Sequence, residues 1–237
     1  SLTLLVSLCC MLQASAQTYH VKRVPRDSLH IDGTGTSKMW ERAQQLDDFV
    51  YPWDSAAAPS TTFAALWDGE WLFGIFGAKD DSVVVPFRHH SKMDVGASDR
   101  VEVFLKKDDA MDPYYCLEMD AAGRVLDYDA TYYRKMNYAW AWPKGQLIIK
   151  ASQVKDGYVL EFAISIRSLK ELGLLQEGRL QAGLFRTECT GRTGGWSDLH
   201  WISWIRPQSH EPDFHIPSAF GTLVLEEAPA GGSSNEK

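Results

Sequence analysis

The sequence is poor in cysteine and has no excess of positive charge. Four of its 237 residues are cysteine, and none stands in the C-x-x-C spacing of a redox or zinc motif. Lys and Arg number 24 against 31 Asp and Glu, a formal net charge of -7, so the chain lacks the basic surface that binds a phosphate backbone. Glycine (18) and proline (10) are near average usage, which excludes collagen-like and low-complexity chains. We therefore expect a folded chain with no nucleic-acid partner.

Several catalytic motifs are also missing. The chain has no H-E-x-x-H zinc motif, no glycine-rich phosphate loop and no G-x-S-x-G nucleophile elbow. The pair His89-His90 and the later His210 and His215 have no regular ligand spacing, and we interpret them as loop residues. Zinc proteolysis, nucleotide binding and ordinary esterase chemistry therefore have no support in the sequence.

The first 16 residues predict a secretory signal peptide. They carry no charge, are rich in leucine and end in Ala14-Ser15-Ala16, an A-x-A cleavage pattern. The apolar stretch is too short to span a bilayer, so no transmembrane segment is expected. Cys9 and Cys10 leave a lipoprotein as the alternative, which the bulky residue before Cys9 disfavours. We expect cleavage after Ala16 and a secreted or periplasmic protein.

Removal of residues 1–16 would leave Cys116 and Cys189 as the remaining cysteines. In an oxidising compartment these two residues could form a disulfide. Two buried free thiols are the alternative, because sequence does not tell whether their Cα atoms come within bridging distance. Both possibilities stay open at this point.

Most of the chain has the pattern of short β-strands separated by turns. Turn residues such as Asp68-Gly69 and Asp156-Gly157 divide the β-branched and aromatic runs. Predicted strands cover residues 61–67, 71–78, 100–105, 114–120, 124–129, 146–154, 158–164, 180–188, 200–205 and 221–225. Short helices are expected only at 37–43 and 168–172. This pattern predicts an all-β fold, a two-sheet antiparallel β-sandwich, as a single domain over residues 17–227 followed by a disordered tail at 228–237.

Charged residues lie in the middle of several predicted strands. Arg100 and Glu102 alternate with valines, which places both charges on one strand face. Glu118 and Arg186 occupy similar positions in two other strands. Adjoining strands of this kind would form a patch of carboxylates and guanidiniums able to bind hydroxyl groups. A solvated sheet face with cross-strand ion pairs is the alternative.

Aromatic residues are more numerous than a core of this size needs. The chain contains nine Trp and nine Tyr, and their rings suit a sugar because a flat apolar face can stack on it while polar edges remain free. Core packing is the alternative for any single ring. One crowded segment contains Tyr128, Tyr132, Tyr133, Tyr138, Trp140 and Trp142.

Glu102 and Glu118 also raise the possibility of glycoside hydrolysis. Two carboxylates about 5–9.5 Å apart are needed for that chemistry, and neighbouring strands can provide the distance. The chain lacks the dense E-x-D-x-E or E-x-D-x-x-E run that jelly-roll glucanases carry on one strand, since Glu118-Met119-Asp120 is followed by Ala121. Binding without catalysis is therefore the preferred interpretation.

The order of short motifs resembles the family 9 carbohydrate-binding modules, which belong to the wider DOMON-like sandwich group. Each motif is weak alone, but together they cover residues 29–226 in the order found in that family. The matching segments are 31–33 (IDG), 40–43 (WERA), 65–68 (ALWD), 71–73 (WLF), 98–105 (SDRVEVFL), 156–158 (DGY) with Glu161, and 201–221 (WISWIRPQSHEPDFHIPSAFG).

The resemblance implies a non-catalytic module that binds plant-type polysaccharides such as xylan or cellulose and often works beside glycan-degrading enzymes. In this family a sugar lies between two Trp rings. One ring matches Trp204, and the motif glutamate matches Glu102. The other ring would stand at Gly96, which has no side chain. Either the second ring is absent, or a ring from residues 132–142 or Trp196 replaces it, and we expect Trp140, Trp142 or Trp196. Hydrogen bonds to the sugar are expected from Arg100, Glu102, Glu118 and Arg186.

The resemblance leaves cofactors and other functions open. Some members of the family hold structural calcium, whose ligands we do not assign here, and we expect no other cofactor. DOMON-like sandwiches also include haem proteins, for which Met93, Met119, Met136 and His90 would be the candidate ligands. A protein-docking module with no small ligand is a further alternative.

Overall fold

The computed structural model describes residues 17–87, 89–193 and 196–227, without the side chains of residues 192, 193 and 196. The predicted signal peptide (1–16) and tail (228–237) lie outside these residues, and their prediction stands untested. None of the described helices has the length and hydrophobicity needed to cross a membrane.

The described residues form twelve strands and few helices. The strands are β1 Thr18–Arg23, β2 Thr61–Trp67, β3 Trp71–Lys79, β4 Arg100–Lys106, β5 Tyr114–Asp120, β6 Val125–Thr131, β7 Lys135–Asn137, β8 Leu147–Val154, β9 Gly157–Ser165, β10 Arg179–Thr193, β11 Trp196–Ser203 and β12 Gly221–Leu225. One α-helix, α1 (Ile166–Glu171), accompanies three 3-10 turns at Lys38–Arg42, Lys92–Ala97 and Pro217–Ala219. All ten predicted strands and both predicted helices are present, whereas β1, β7 and the last two 3-10 turns were not predicted.

The strands form two sheets that share β1. Sheet A has the order β7-β6-β5-β4-β10-β12-β1, and sheet B has the order β1-β2-β3-β9-β8, while β11 pairs with the second half of β10. The predicted all-β sandwich is thus confirmed. It is not wholly antiparallel, because β1 runs parallel to both β12 and β2 and so joins the edges of the two sheets.

The main core lies between the two sheets. Val101 and Val103 of β4 face Phe63 and Phe76 of sheet B in one buried cluster. Their neighbours Glu102 and Phe104 point to the opposite, outer face of sheet A, because side chains alternate along a strand. This alternation fixes which side of sheet A can hold a site.

A buried carboxylate holds the N-terminal segment against sheet B. Glu161 of β9 accepts hydrogen bonds from the backbone N–H of Asp32 (3.1 Å) and Gly33 (2.6 Å) and from Trp40 Nε1 (2.7 Å). Gly33 has φ +86°, and a Cβ there would lie 2.8 Å from the Ala151 nitrogen, so only glycine fits. These contacts explain why the IDG and WERA segments and Glu161 occur together.

A second, smaller core covers part of the outer face of sheet A. Residues 206–220 return across β10, where the Phe214 ring stacks on Phe185 with 4.0 Å between centroids. The 3-10 turn Lys92–Ala97 packs against β5 and β6 on the same sheet. Between these two coverings the outer face remains open as a cleft.

Cys116 and Cys189 are both free and buried. Cys116 lies level with Phe104, and Phe104 lies level with Gly183 of β10. Cys189 is six residues further along β10, which is about 20 Å at the rise of a β-strand. The two thiols are therefore too far apart for a disulfide.

Candidate functional site

The cleft on the outer face of sheet A encloses about 310 Å³. Its floor comes from β4, β5 and β6, and its walls from the Lys92–Ala97 turn, β11 and the segment around residue 213. The floor is charged, whereas most wall residues are aromatic or otherwise apolar.

Two carboxylates on the floor share one guanidinium. Glu102 and Glu118 stand directly opposite each other across β4 and β5. Arg100 Nε lies 2.9 Å from Glu102 Oε1 and 2.8 Å from Glu118 Oε2. Its N–H is aligned with neither oxygen well enough for a hydrogen bond, so these contacts are ion pairs. The three side chains are only 3–10% exposed, and the sequence prediction that they come together is met.

Hydroxyl groups orient the two carboxylates. Tyr128 Oη donates to Glu118 Oε1 at 2.8 Å, and Thr187 Oγ1 donates to Glu102 Oε1 at 2.7 Å. Among the described residues no hydrogen bond reaches Glu102 Oε2. This oxygen therefore remains available to a ligand in the cleft.

Burial raises the pKa of Glu102 to about 7, an effect that the charge of Glu118 reinforces and that of Arg100 opposes. Burial alone would lower the pKa of Arg100, but the carboxylates of Glu118 and Glu102 outweigh it, so the net shift is upward. Near neutral pH the Glu102 carboxyl can therefore either donate or accept a hydrogen bond. Both functions are useful toward a hydroxyl group.

Aromatic rings form the upper walls. Trp201 of β11 stands opposite Thr187, which places its ring on the cleft face, and it is 37% exposed. Tyr138 is also exposed and leans on Tyr128, with ring centroids 5.0 Å apart. Trp53, held by a bond from its Nε1 to the Ser209 carbonyl, completes this side of the cleft.

Trp204, predicted as the sugar platform, does not lie at the cleft. Its backbone N–H donates to the Leu184 carbonyl, and its side chain is 4% exposed in the main core. Trp201 and Trp204 are three positions apart, and an odd spacing along a strand reverses the face. The exposed ring is therefore Trp201, which the sequence prediction missed. The sequence contained one signal for this: the apolar residues Ile202 and Trp204 alternate with Ser203, which places Trp204 on the same face as Ile202.

Arg186 also lies on the other face of sheet A. It stands opposite Val101, is fully buried, and binds Asp80 Oδ2 at 3.0 Å and Thr61 Oγ1 at 3.3 Å. Arg186 thus connects sheet A to sheet B instead of reaching the cleft. Its strand neighbours Phe185 and Thr187 occupy the cleft face.

The other predicted rings are structural where they are described. Trp142 donates from Nε1 to Ser168 Oγ at 3.1 Å, and Trp140 packs on Tyr115 with 5.1 Å between centroids. Neither ring lines the cleft. The side chain of Trp196 lies outside the described part of the chain.

Gly96 lines the cleft, at the position where the family resemblance expects a tryptophan. A Cβ built there would meet only one atom within 4 Å, Leu126 Cδ2 at 3.8 Å. The wall has open space at this position, and no other tryptophan at the described positions fills it.

The residues considered for haem are split between two faces. Met93 and Met136 line the cleft, while Met119 is buried in the main core. Within the described ranges, no three His, Cys, Asp or Glu side chains form a metal-holding group.

The sequence profile of the carbohydrate family 9 binding domain-like family matches residues 31–228. The chain belongs to this family. Two solved family 9 modules from Caldicellulosiruptor kristjanssonii, one in complex with glucose and one with cellotriose, share its fold. They have 15% and 17% identity and TM-scores of 0.55 and 0.56, and the alignments cover 92% of this chain and 100% and 96% of theirs.

A protein of known structure from Bacteroides uniformis ATCC 8492 is also similar, with 21% identity and a TM-score of 0.66 over 90% of this chain and 100% of that one. At these identities the likeness establishes the family 9 fold alone. No curated protein matches the chain in sequence.

Proposed function

We propose that this protein is a secreted, non-catalytic carbohydrate-binding module whose cleft takes a sugar ring against Trp201. The observation that carries the proposal is the cleft itself, in which an exposed indole adjoins a floor of two buried carboxylates. The indole face suits the C–H face of a pyranose. The carboxylates suit its hydroxyl groups, since an ionised carboxylate accepts several hydrogen bonds.

The shared guanidinium favours binding over hydrolysis. Glycosidases need one carboxyl as an acid and a second as a base or nucleophile, on either side of the scissile bond. Here Arg100 Nε lies within 3 Å of an oxygen of both Glu102 and Glu118, so one cation pairs with both carboxyl groups. Glu118 then serves as a hydrogen-bond acceptor, and Glu102 can accept or donate near neutral pH.

The proposed ligands are neutral plant-type glycans, xylan-like or cellulose-like, bound in association with glycan-degrading enzymes. When Glu102 is ionised, the two floor carboxylates outnumber the one guanidinium and disfavour an anionic sugar by charge repulsion. The related modules in complex with glucose and cellotriose support a β-linked glucan or a close analogue. Secretion rests on the sequence pattern of residues 1–16.

Isothermal titration of xylo- and cello-oligosaccharides into the wild type and Glu118→Gln tests the proposal. We expect binding by the wild type and a loss of about tenfold or more in the variant, because hydrogen bonds to a charged group contribute about 1.5–3 kcal/mol. Glu171→Gln, at an exposed position on α1, should bind like the wild type. Absence of heat with every sugar at millimolar concentration would contradict the proposal, and release of reducing ends that Glu102→Gln abolishes would show an enzyme instead.

A further inference from the structure

Two exposed tyrosines lie at the mouth of the cleft. Tyr132 and Tyr133 occupy the tip of the β6–β7 hairpin and are 49% and 50% exposed, with their rings 5.4 Å apart in an edge-to-face arrangement. They belong to the aromatic segment of residues 128–142, but neither ring is part of a buried core cluster or of the cleft lining. Two adjacent exposed rings form a small apolar patch, and an exposed tyrosine ring offers a flat apolar face with a polar edge.

Tyr133 is attached directly to the wall of the cleft. Its hydroxyl donates to Asp213, which also lies 3.4 Å from Arg134 Nη1 and accepts from the backbone N–H of His215 at 2.8 Å. Arg134, Asp213 and His215 all line the cleft. The Tyr133 ring is thus held beside the cleft. Arg134 Cζ lies over it at 5.9 Å from the ring centroid, and half of the residue's surface remains exposed.

The size of the cleft leaves further sugar units outside it. Small-ligand sites generally enclose about 300–1,000 Å³, and a cleft of about 310 Å³ is at the lower end of that range. When the end of a glycan fills the cleft, the next unit must rest on the rim. The rim next to Asp213 offers a ring face together with charged groups that can bind hydroxyls.

We propose that Tyr133, supported by Tyr132, is a second sugar subsite that stacks against the unit projecting from the cleft. This inference rests on the proposed function and deepens it, because it assigns oligosaccharides rather than single sugars as the preferred ligands. The Tyr133 ring face provides stacking, and the Asp213 and Arg134 pair beside it provides polar partners.

Ligand-observed NMR titrations test the subsite. They compare the binding of a monosaccharide with that of its trisaccharide, for example glucose and cellotriose. The wild type should bind the trisaccharide more tightly. Tyr133→Ala should weaken the trisaccharide by about two- to tenfold, as expected for a lost ring contact, and leave the monosaccharide unchanged. Tyr133→Phe keeps the ring and should retain most of the affinity.

The matched control is Phe87→Ala. Phe87 is also exposed and, like Tyr133, has an arginine over its ring, with Arg124 Cζ 4.1 Å from the centroid. Neither Phe87 nor Arg124 lines the cleft, whereas Tyr133 bonds to Asp213 in the cleft wall. The Phe87→Ala variant should bind both sugars like the wild type. Equal affinity for the two sugars, or an equal loss of both in Tyr133→Ala, would overturn the subsite while the cleft function stands. Absence of monosaccharide and trisaccharide binding in the wild type would overturn both proposals.

Discussion

Trp201 and Trp204 lie on opposite faces of sheet A although only two residues separate them. Trp201 stands opposite Thr187 at the cleft, and the Trp204 ring is buried in the main core. One motif therefore supplies both a ligand-facing ring and a core ring. The assignment of the sugar platform depends on strand parity rather than on the motif alone.

Gly96→Trp should strengthen sugar binding. Gly96 lines the cleft, and its Cβ would meet only Leu126 within 4 Å, so an indole there can lie over a ligand without a clash at its base. A second stacked ring should tighten binding by about two- to tenfold, measured by isothermal titration with cello-oligosaccharides. Gly96→Ala, which adds no ring, should bind like the wild type. Weaker binding by the Trp variant would show that the open space is itself part of the ligand site.

Glu102 should make the folded protein less stable as the pH rises. Burial raises the pKa of Glu102 from 4.5 to about 7, so the folded state holds this proton more tightly than the unfolded state. The stabilisation of the folded state that comes from protonated Glu102 is complete below about pH 4.5. It declines as the pH rises toward 7 and is lost above that. Denaturant unfolding of the wild type and Glu102→Gln at several pH values measures the effect.

The difference between those two proteins isolates Glu102. Asp99, whose pKa burial also raises to about 7, and His215, whose pKa burial lowers to about 4, are present in both and cancel. We expect Glu102→Gln to gain stability relative to the wild type between pH 5 and pH 8. A difference that does not change with pH would show that Glu102 ionises normally.

Glu161→Ala should destabilise the protein strongly. The substitution leaves three donors without their acceptor, the N–H groups of Asp32 and Gly33 and the Trp40 indole. Buried unsatisfied donors cost about 1–3 kcal/mol each, so the free energy of unfolding should fall by about 3 kcal/mol or more. Chemical denaturation measures it, with the exposed Glu171→Ala as a control that should change little. A small effect at Glu161 would mean that water replaces the carboxylate.

The sequence predicted the strands well because their signal is local. Alternating residues and turn pairs such as Asp68-Gly69 lie within a few positions of each other. β7 was missed because three residues, Lys135–Asn137, are too few for a period of two to appear. In β1, Tyr19 and Val21 do alternate with polar residues, but the strand is stabilised by pairing with β2 and β12, which are distant in sequence.

The floor of the cleft was predictable for the same reason, since Arg100 and Glu102 alternate with valines in one strand. Arg186 was placed wrongly because the face of one strand relative to another depends on register, which is a tertiary property. Arg186 pairs with Val101, and Phe185 pairs with Glu102. This register places Arg186 on the core face of sheet A and Phe185 on the cleft face. The walls combine residues that are distant in sequence, such as Trp53 and Tyr138, which are more than 80 positions apart. No local sequence pattern indicates that such residues come together.

The most direct test of the central claim is isothermal titration calorimetry of cello-oligosaccharides with the wild type, Trp201→Ala and Trp204→Phe. The account predicts that Trp201→Ala loses measurable binding and keeps its stability, because the ring is exposed at the cleft. Trp204→Phe should lose stability, because it changes a buried core ring, and should still bind the sugar. Wild-type affinity in Trp201→Ala, together with loss of binding in a folded Trp204→Phe, would contradict the account.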